Sequence, residues 1–340
     1  MKGQNPLAET ASLLVHAVPS MKRRLLAPLL LLAAVLSAVT FAAPGAAKRK
    51  ILFFTKSSGF EHSVISWKKG QPSHAEKVLQ ELGAKNGWEF EFSKDGSKFN
   101  KEYLAQFDTV MFYTTGNLLE AGTDGQPPMT AEGKQSLFDF VKSGKGFVGA
   151  HSASDTFHTN NESKKGPDRY LNHGEQADSY VRFLGGEFIK HGAQQEAKNT
   201  VENPKFPGFE NIGKDYGFME EWYSLKDFTP DIHVLSVINN PPMTGKEYER
   251  PAYPSTWARK EGDGRVFYTA MGHRDDVWTN PTFQQILVGG LKWANGDVKA
   301  PDMSANLLQV APGAMTNQPY TPTPAPKAKA PAKKADAKKK

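Results

Sequence analysis

The chain has 340 residues, no cysteine and a formal net charge of +6. The lack of cysteine excludes disulfides, thiolate metal ligands and a cysteine nucleophile. Residues 327–340 contribute +6 and residues 1–47 contribute +3, which leaves −3 for residues 48–326, so we expect no basic face for nucleic acid on the folded part.

Residues 1–47 are predicted to be a leader that contains a secretory signal peptide. A basic segment at residues 21–24 precedes an apolar run at residues 25–39, and small residues follow up to Ala47. This order is typical of a cleaved signal peptide. The apolar run has about 15 residues, whereas a membrane-spanning helix needs roughly 20. We therefore expect export to the periplasm or outside the cell, with no stable membrane span after cleavage.

The next part of the chain is predicted to alternate between strands and helices. A capping box that begins at Ser73 marks the start of a helix, and Gly87 is its expected end. Strands are predicted over residues 50–55, 88–92, 109–113 and 147–150, and further helices over 100–106 and 130–144. Alternation of this kind, without an internal repeat, favours an α/β fold with a doubly wound, mostly parallel sheet.

The pattern changes beyond His158. Residues 160–173 are polar and predict a long loop, and a short helix is predicted to close at Gly186. Strands are predicted over 231–238 and 255–260, an added β-hairpin turns at residues 262–264, and residues 283–294 form a closing helix. The domain is therefore expected over residues 48–300. Residues 301–340, which become rich in Pro, Ala and Lys, are predicted to form a disordered tail.

The densest group of polar side chains follows the predicted strand at 147–150. It contains His151, Ser152, Ser154, Asp155, Thr156 and His158. In open α/β sheets, ligands bind beyond the carboxyl ends of the strands. The sequence therefore predicts a functional site directly after this strand.

Other titratable residues recur at predicted strand ends. They are His62, Glu221 and His273, with His191 as a weaker member. We expect them to share a cleft with His151, where neutral imidazoles and a carboxylate suit acid–base chemistry. They would also suit a divalent metal, although no two of them have the short spacing of a local metal motif. Taken singly, each histidine has the alternative interpretation of a core or loop residue bonded to a neighbour.

Two further patterns have weaker functional interpretations. Ser152 follows a strand, but the Gly-x-Ser-x-Gly pattern of a serine hydrolase is absent, and Asp155 is in a position where capping is the ordinary role. Several aromatic residues could form a sugar-binding surface, with core packing as the alternative: Trp67, Trp222, Tyr223, Trp257 and Trp278.

Several of these segments together resemble the ThuA-like (trehalose utilisation) family, over about residues 50–297. They are residues 59–62, 144–155, 183–191, 221–223, 257, 264–268, 272–273 and 291–294. The resemblance implies a flavodoxin-like fold similar to that of class I glutamine amidotransferases, and a role in sugar utilisation. It also implies that one site contains His62, His151, His191, Glu221 and His273. In those amidotransferases a cysteine stands at the turn where this chain has His151 and Ser152, so glutamine hydrolysis is excluded.

The first functional hypothesis is an exported enzyme of carbohydrate utilisation that acts on a sugar, glycoside or keto-sugar. His151 and Glu221 would be acid–base groups, and His62 and His273 would position the substrate or form a second acid–base pair. The predicted substrate contacts are His191, Ser152, Asp155, Trp222 and Tyr223. The alternatives are a non-catalytic carbohydrate-binding module and a metal-dependent hydrolase. No cofactor is assigned, and a divalent metal is left open.

Overall fold

The computed structural model describes residues 48–159, 170–240 and 242–315. The predicted signal peptide and the lysine-rich end of the predicted tail lie outside the described residues, as does most of the polar loop predicted at 160–173. Within the described part, α6 (Pro281–Ala294) is the longest helix, and no helix there is long and apolar enough to cross a bilayer.

The first half of the domain alternates between strands and helices, as predicted. Ser73 and Glu76 form the capping box that starts α1, and Gly87 ends the helix with a left-handed φ of 73°. β3 and β4 are buried at every position, as expected for central strands covered on both faces. The elements are β1 (Arg49–Phe54), α1 (His74–Asn86), β2 (Trp88–Ser93), α2 (Lys101–Leu104), β3 (Thr109–Phe112), α3 (Ala131–Lys142) and β4 (Gly146–Ala150).

The second half contains more strands than the sequence predicted. The hairpin of β10 and β11 and the closing helix α6 are confirmed. For β5 to β8 the sequence indicated only strand ends near His191 and Glu221, because polar residues interrupt the apolar pattern of these strands. The elements are α4 (Ser179–Leu184), β5 (Glu187–His191), β6 (Gln195–Val201), β7 (Asp215–Glu220), β8 (Tyr223–Lys226), β9 (His233–Asn239), β10 (Tyr253–Glu261), β11 (Gly264–Thr269), α5 (Asp275–Trp278), α6 and α7 (Leu307–Val310).

The described strands form a nine-stranded sheet in the order β2-β1-β3-β4-β11-β10-β9-β6-β7 and a small sheet of β5 with β8. The first five strands pair in parallel, which is the flavodoxin-like order with β11 in the fifth place. From β11 onward each strand is antiparallel to its neighbour. The fold class is therefore confirmed: a flavodoxin-like, class I glutamine amidotransferase-like sheet, extended by antiparallel strands.

The chain does not become a disordered tail at residue 301. Leu307, Ala311 and Ala314 are buried, and the backbone N–H of Val234 in β9 donates to Asn306 Oδ1 at 2.6 Å. The prediction was wrong for residues 301–315, because Asn306 bonds to the backbone at the start of β9 and a few apolar residues among polar ones are buried there. Residues 316–340 lie outside the described part of the chain.

Candidate functional site

Three histidines and one glutamate meet beyond the strand ends. His151 directly follows β4, Glu221 directly follows β7, and His62 and His273 lie in the loops after β1 and β11. One ligand atom from each of the four side chains lies within 4.8 Å of all the others. We call these residues the His–Glu cluster. The structure thus brings together the four residues predicted to be catalytic, which are far apart in the sequence.

His151 occupies a strained turn at the end of β4. Its φ is 43°, in the left-handed region that residues with a side chain rarely adopt. The side chain is fully buried, and Nδ1 lies 2.9 Å from the carbonyl oxygen of Ala270. Because a carbonyl only accepts hydrogen bonds, the bond assigns a proton to Nδ1, and in the neutral ring this leaves a lone pair on Nε2, which lies 3.6 Å from Glu221.

Glu221 lies among the histidines of the cluster. Its Oε2 is 3.0 Å from His273 Nδ1 and 3.6 Å from His151 Nε2, and its Oε1 is 3.3 Å from His191 Nδ1. Burial alone would raise the pKa of this carboxyl, but the adjacent imidazoles of His151 and His273 outweigh burial and hold its pKa below the ordinary value. The side chain is therefore an ionised carboxylate near neutral pH, which suits an acceptor or a ligand better than a general acid.

His62 forms the inner wall of the cluster. Its ring stands edge-on to the rings of His151 and His273, with centroids 5.0 and 5.2 Å away. Burial, and then the positive charge that those two histidines can carry, lower the pKa of His62 to about 2. The imidazole is therefore neutral. Its Nε2 lies 3.4 Å from the hydroxyl of Tyr223.

Three imidazole nitrogens in the cluster are buried without a hydrogen-bond partner among the described residues: His62 Nδ1, His151 Nε2 and His273 Nδ1. Most buried polar atoms in proteins are paired. His273 Nδ1 is close to Glu221, but the two groups are not aligned for a hydrogen bond. The open nitrogens therefore mark a place for a group from outside the chain, and imidazole and carboxylate are both common ligands of divalent metals.

Glu220 fixes the backbone at two members of the His–Glu cluster, Glu221 and His273, and the sequence analysis did not identify it. The carboxylate is fully buried, and burial raises its pKa. It accepts hydrogen bonds from the backbone N–H groups of Gly272 (2.9 Å), His273 (3.1 Å) and Glu221 (2.8 Å). Strand alternation was the available signal, because side chains at Phe218 and Glu220 point to the same, buried face.

The residues predicted to contact substrate are in different environments. Tyr223 is buried, with its ring centroid 4.0 Å from that of His151, and the exposed His191 stacks on Tyr223 at the edge of the site. Trp222 is fully buried and donates its indole N–H to the carbonyl of Gln195. Trp222 is thus paired within the fold, and a role for it in substrate binding stays a prediction.

Ser152 and Asp155 are not members of the His–Glu cluster. Ser152 is fully buried behind His151. Asp155 Oδ1 lies 2.6 Å from His158 Nε2, and His158 Nδ1 lies 2.6 Å from Glu187 Oε1. Asp155 thus belongs to a separate hydrogen-bonded group, and a role for it or for Ser152 in substrate binding stays a prediction.

An aromatic side chain stands beside the opening of the site. Phe60 is 68% exposed, and its ring centroid is 5.0 Å from that of His62. An open cleft of about 330 Å³ reaches the cluster at His273. The residues that line the cleft include Ser63, Gln194, His273 and Arg274. An exposed ring next to polar groups is a suitable contact for an amphipathic ligand.

Comparison with known proteins identifies the family. The family model ThuA, described as trehalose utilisation, matches residues 50–294. A crystal structure of a ThuA-like protein from Bacteroides uniformis is 20% identical and has a TM-score of 0.53, covering 74% of this chain and 94% of that chain. A crystal structure of a ThuA-like protein from Parabacteroides merdae is 17% identical and has a TM-score of 0.49, covering 75% of this chain and 92% of that chain. No curated protein matches. The family match covers most of the sequence, and the chain therefore belongs to the ThuA (trehalose utilisation) family.

Proposed function

We propose that the protein is an enzyme of carbohydrate utilisation that acts on a sugar, glycoside or keto-sugar at the His–Glu cluster. The observation that carries the proposal is a set of three buried imidazole nitrogens that have no hydrogen-bond partner within the described part of the chain, beside an ionised carboxylate. A group that serves only the fold is normally paired within the fold. The family description, trehalose utilisation, supports a carbohydrate as the substrate.

The geometry supports different roles for the members of the cluster. His151 Nε2 has a lone pair and can accept a proton from a substrate carbon, hydroxyl or water, while its Nδ1–H stays bonded to the carbonyl of Ala270. Glu221 can stabilise the imidazolium that results, since its Oε2 is 3.6 Å away. His273 is the most exposed of the three histidines and can contact the departing or incoming oxygen.

Export is part of the proposal and rests on the signal-peptide pattern of residues 21–47. We expect the protein in the periplasmic or culture fraction, with the leader removed. Fractionation of cells that express the full chain, followed by N-terminal mass analysis, would test this. Retention of the full-length chain in the cytoplasm would contradict it.

The function is tested by a mass-spectrometric screen of the purified protein against disaccharides, glycosides and their 3-keto derivatives. His151→Gln removes the proposed proton acceptor. His233→Gln is the control, because His233 is also buried but bonds to Asn203 and Ser304 outside the cluster. A product that disappears only in His151→Gln supports the enzyme. Saturable sugar binding without any product favours a carbohydrate-binding module, and neither binding nor turnover contradicts the proposal.

A further inference from the structure

We propose that the His–Glu cluster binds one divalent first-row transition-metal ion, with Zn²⁺ as a good fit to its donors. The inference concerns the site of the proposed function, but it is tested by metal binding rather than by turnover. The metal site can therefore be refuted without refuting the proposed activity on a sugar, and the reverse is also possible. Among the described residues, this is the one group of three or more His, Asp or Glu side chains with ligand atoms close enough to hold a metal.

The donor set matches the chemistry of such an ion. Three imidazole nitrogens and one carboxylate oxygen are common ligands of Zn²⁺ and its neighbours in the first transition series. The observed separations from Glu221 Oε2 are 3.0 Å to His273 Nδ1 and 3.6 Å to His151 Nε2. Bonds of about 2.0–2.2 Å place tetrahedral ligands roughly 3.3–3.6 Å apart. The widest pair, at up to 4.8 Å, needs only a small movement to close.

The hydrogen bonds of the histidines leave the correct atoms open. Metal-bound histidines usually bond their second nitrogen to a carbonyl, a carboxylate or water, which fixes the tautomer and the orientation of the ring. His151 follows this arrangement, with Nδ1 bonded to the carbonyl of Ala270 and Nε2 open. His62 has Nε2 near the hydroxyl of Tyr223 and Nδ1 open.

The backbone of two proposed ligands, Glu221 and His273, is also held by hydrogen bonds. Glu220 accepts hydrogen bonds from the backbone N–H groups of both His273 and Glu221. Such outer contacts keep ligands in place before the ion arrives. His191, whose Nδ1 lies 3.3 Å from Glu221 Oε1, is on the exposed side of the cluster.

A cation explains the open atoms better than a water molecule does. A water molecule donates only two hydrogen bonds, whereas the cluster presents an ionised carboxylate and up to three imidazole lone pairs. A divalent ion accepts a lone pair from all four groups at once. It also compensates the negative charge of Glu221 in a mostly buried position.

The test uses protein that has been stripped with a chelator and then titrated with Zn²⁺ by calorimetry and with Co²⁺ by visible absorption. We expect one ion per chain and a Co²⁺ spectrum that shows imidazole ligands. His151→Gln and Glu221→Gln should each lower the affinity more than about 100-fold. His233→Gln, the buried control outside the cluster, should leave it unchanged.

Several results would separate the two proposals. No 1:1 binding, or equal affinity in the wild type and in folded His151→Gln and Glu221→Gln proteins, overturns the metal site. Circular dichroism checks the folding, and Glu221→Gln, a partly accessible position, serves if His151→Gln does not fold. Tight, cluster-dependent Zn²⁺ binding without turnover of any sugar supports the metal site and removes the proposed function. Sugar turnover by a protein that binds no metal supports the proposed function and removes the metal site.

Discussion

Tyr268 on β11 holds the backbone of His151, and its hydroxyl offers a sharp test of how the site is built. The side chain is fully buried, and its hydroxyl donates to the carbonyl oxygen of His151 at 2.8 Å and lies 2.8 Å from Ser154 Oγ. Tyr268→Phe removes only this hydroxyl. We expect the variant to fold, to lose stability, and to weaken the His–Glu cluster because the turn at His151 loses an anchor.

The expected loss of stability follows from two energies of similar size, the cost of the left-handed backbone at His151 and the cost of leaving its buried carbonyl oxygen without its main partner. A left-handed backbone costs a residue with a side chain roughly 1–2 kcal/mol, and His151 has a φ of 43°. Leaving a buried acceptor without its main partner costs about 1–3 kcal/mol, and the remaining contact of the His151 carbonyl, to Ser154 Oγ, is longer at 3.2 Å. We therefore expect the free energy of unfolding to fall by about 1–3 kcal/mol. If about 1.4 kcal/mol of the lost free energy had stabilised the orientation of the His151 imidazole, Zn²⁺ affinity and turnover fall roughly tenfold.

Tyr180→Phe is the matched control. Tyr180 is also fully buried, and its hydroxyl donates to the neighbouring carbonyl of Ala153 at 3.0 Å rather than to that of His151. Urea denaturation should show a similar loss of stability in the two variants. Calorimetry with Zn²⁺, together with turnover of the sugar found in the screen, should show a defect only in Tyr268→Phe. The reasoning would be refuted if both variants lowered Zn²⁺ affinity equally. It would also be refuted if Tyr268→Phe kept the wild-type free energy of unfolding and the wild-type Zn²⁺ affinity.

Three further variants test separate parts of the molecule. Phe60→Ala should raise KM roughly tenfold without changing unfolding, because the ring is mostly exposed beside His62; a changed kcat with a normal KM would contradict a binding role. Glu220→Gln should lower the free energy of unfolding by about 2–3 kcal/mol and weaken Zn²⁺ binding, because the amide is a weaker acceptor for three N–H groups; wild-type behaviour in both assays would argue against a positioning role. Gly289→Ala would place Cβ 2.1 Å from the carbonyl oxygen of Pro207, so urea denaturation should show a loss of about 1–3 kcal/mol with Zn²⁺ affinity preserved; an unchanged denaturation midpoint would show that the backbone can move away.

The parallel half of the fold could be predicted from the sequence because its signals are local. The capping box at Ser73, the helix end at Gly87 and the short apolar runs of the central strands are all patterns of a few adjacent residues. The same runs placed His62 and His151 after strands, and parallel strands end at one edge of a sheet. This reasoning, together with the weaker strand pattern before Glu221, selected the members of the His–Glu cluster.

The rest depended on contacts between residues distant in the sequence. The antiparallel strands β6 and β7 have mixed burial, and their pairing with β9 and with each other decides which side chains are covered. Trp222 is buried and donates its indole N–H to the carbonyl of Gln195 in β6, a contact between distant residues that the sequence does not indicate. Residues 301–315 are ordered because Leu307 and Ala311 are buried and Asn306 bonds to the backbone of β9, contacts that a short, partly polar segment does not reveal in the sequence.

The sequence alone determined the class of fold, the family and the residue types of the site, since these depend on local patterns and on the lack of cysteine. Only the tertiary structure decided that His62, His151, Glu221 and His273 place their ligand atoms within 4.8 Å. The spacing of these residues in the chain argued against a metal, because local metal motifs have ligands a few positions apart. Four separate loops, brought to one edge by the sheet, produce a suitable donor set without any such motif.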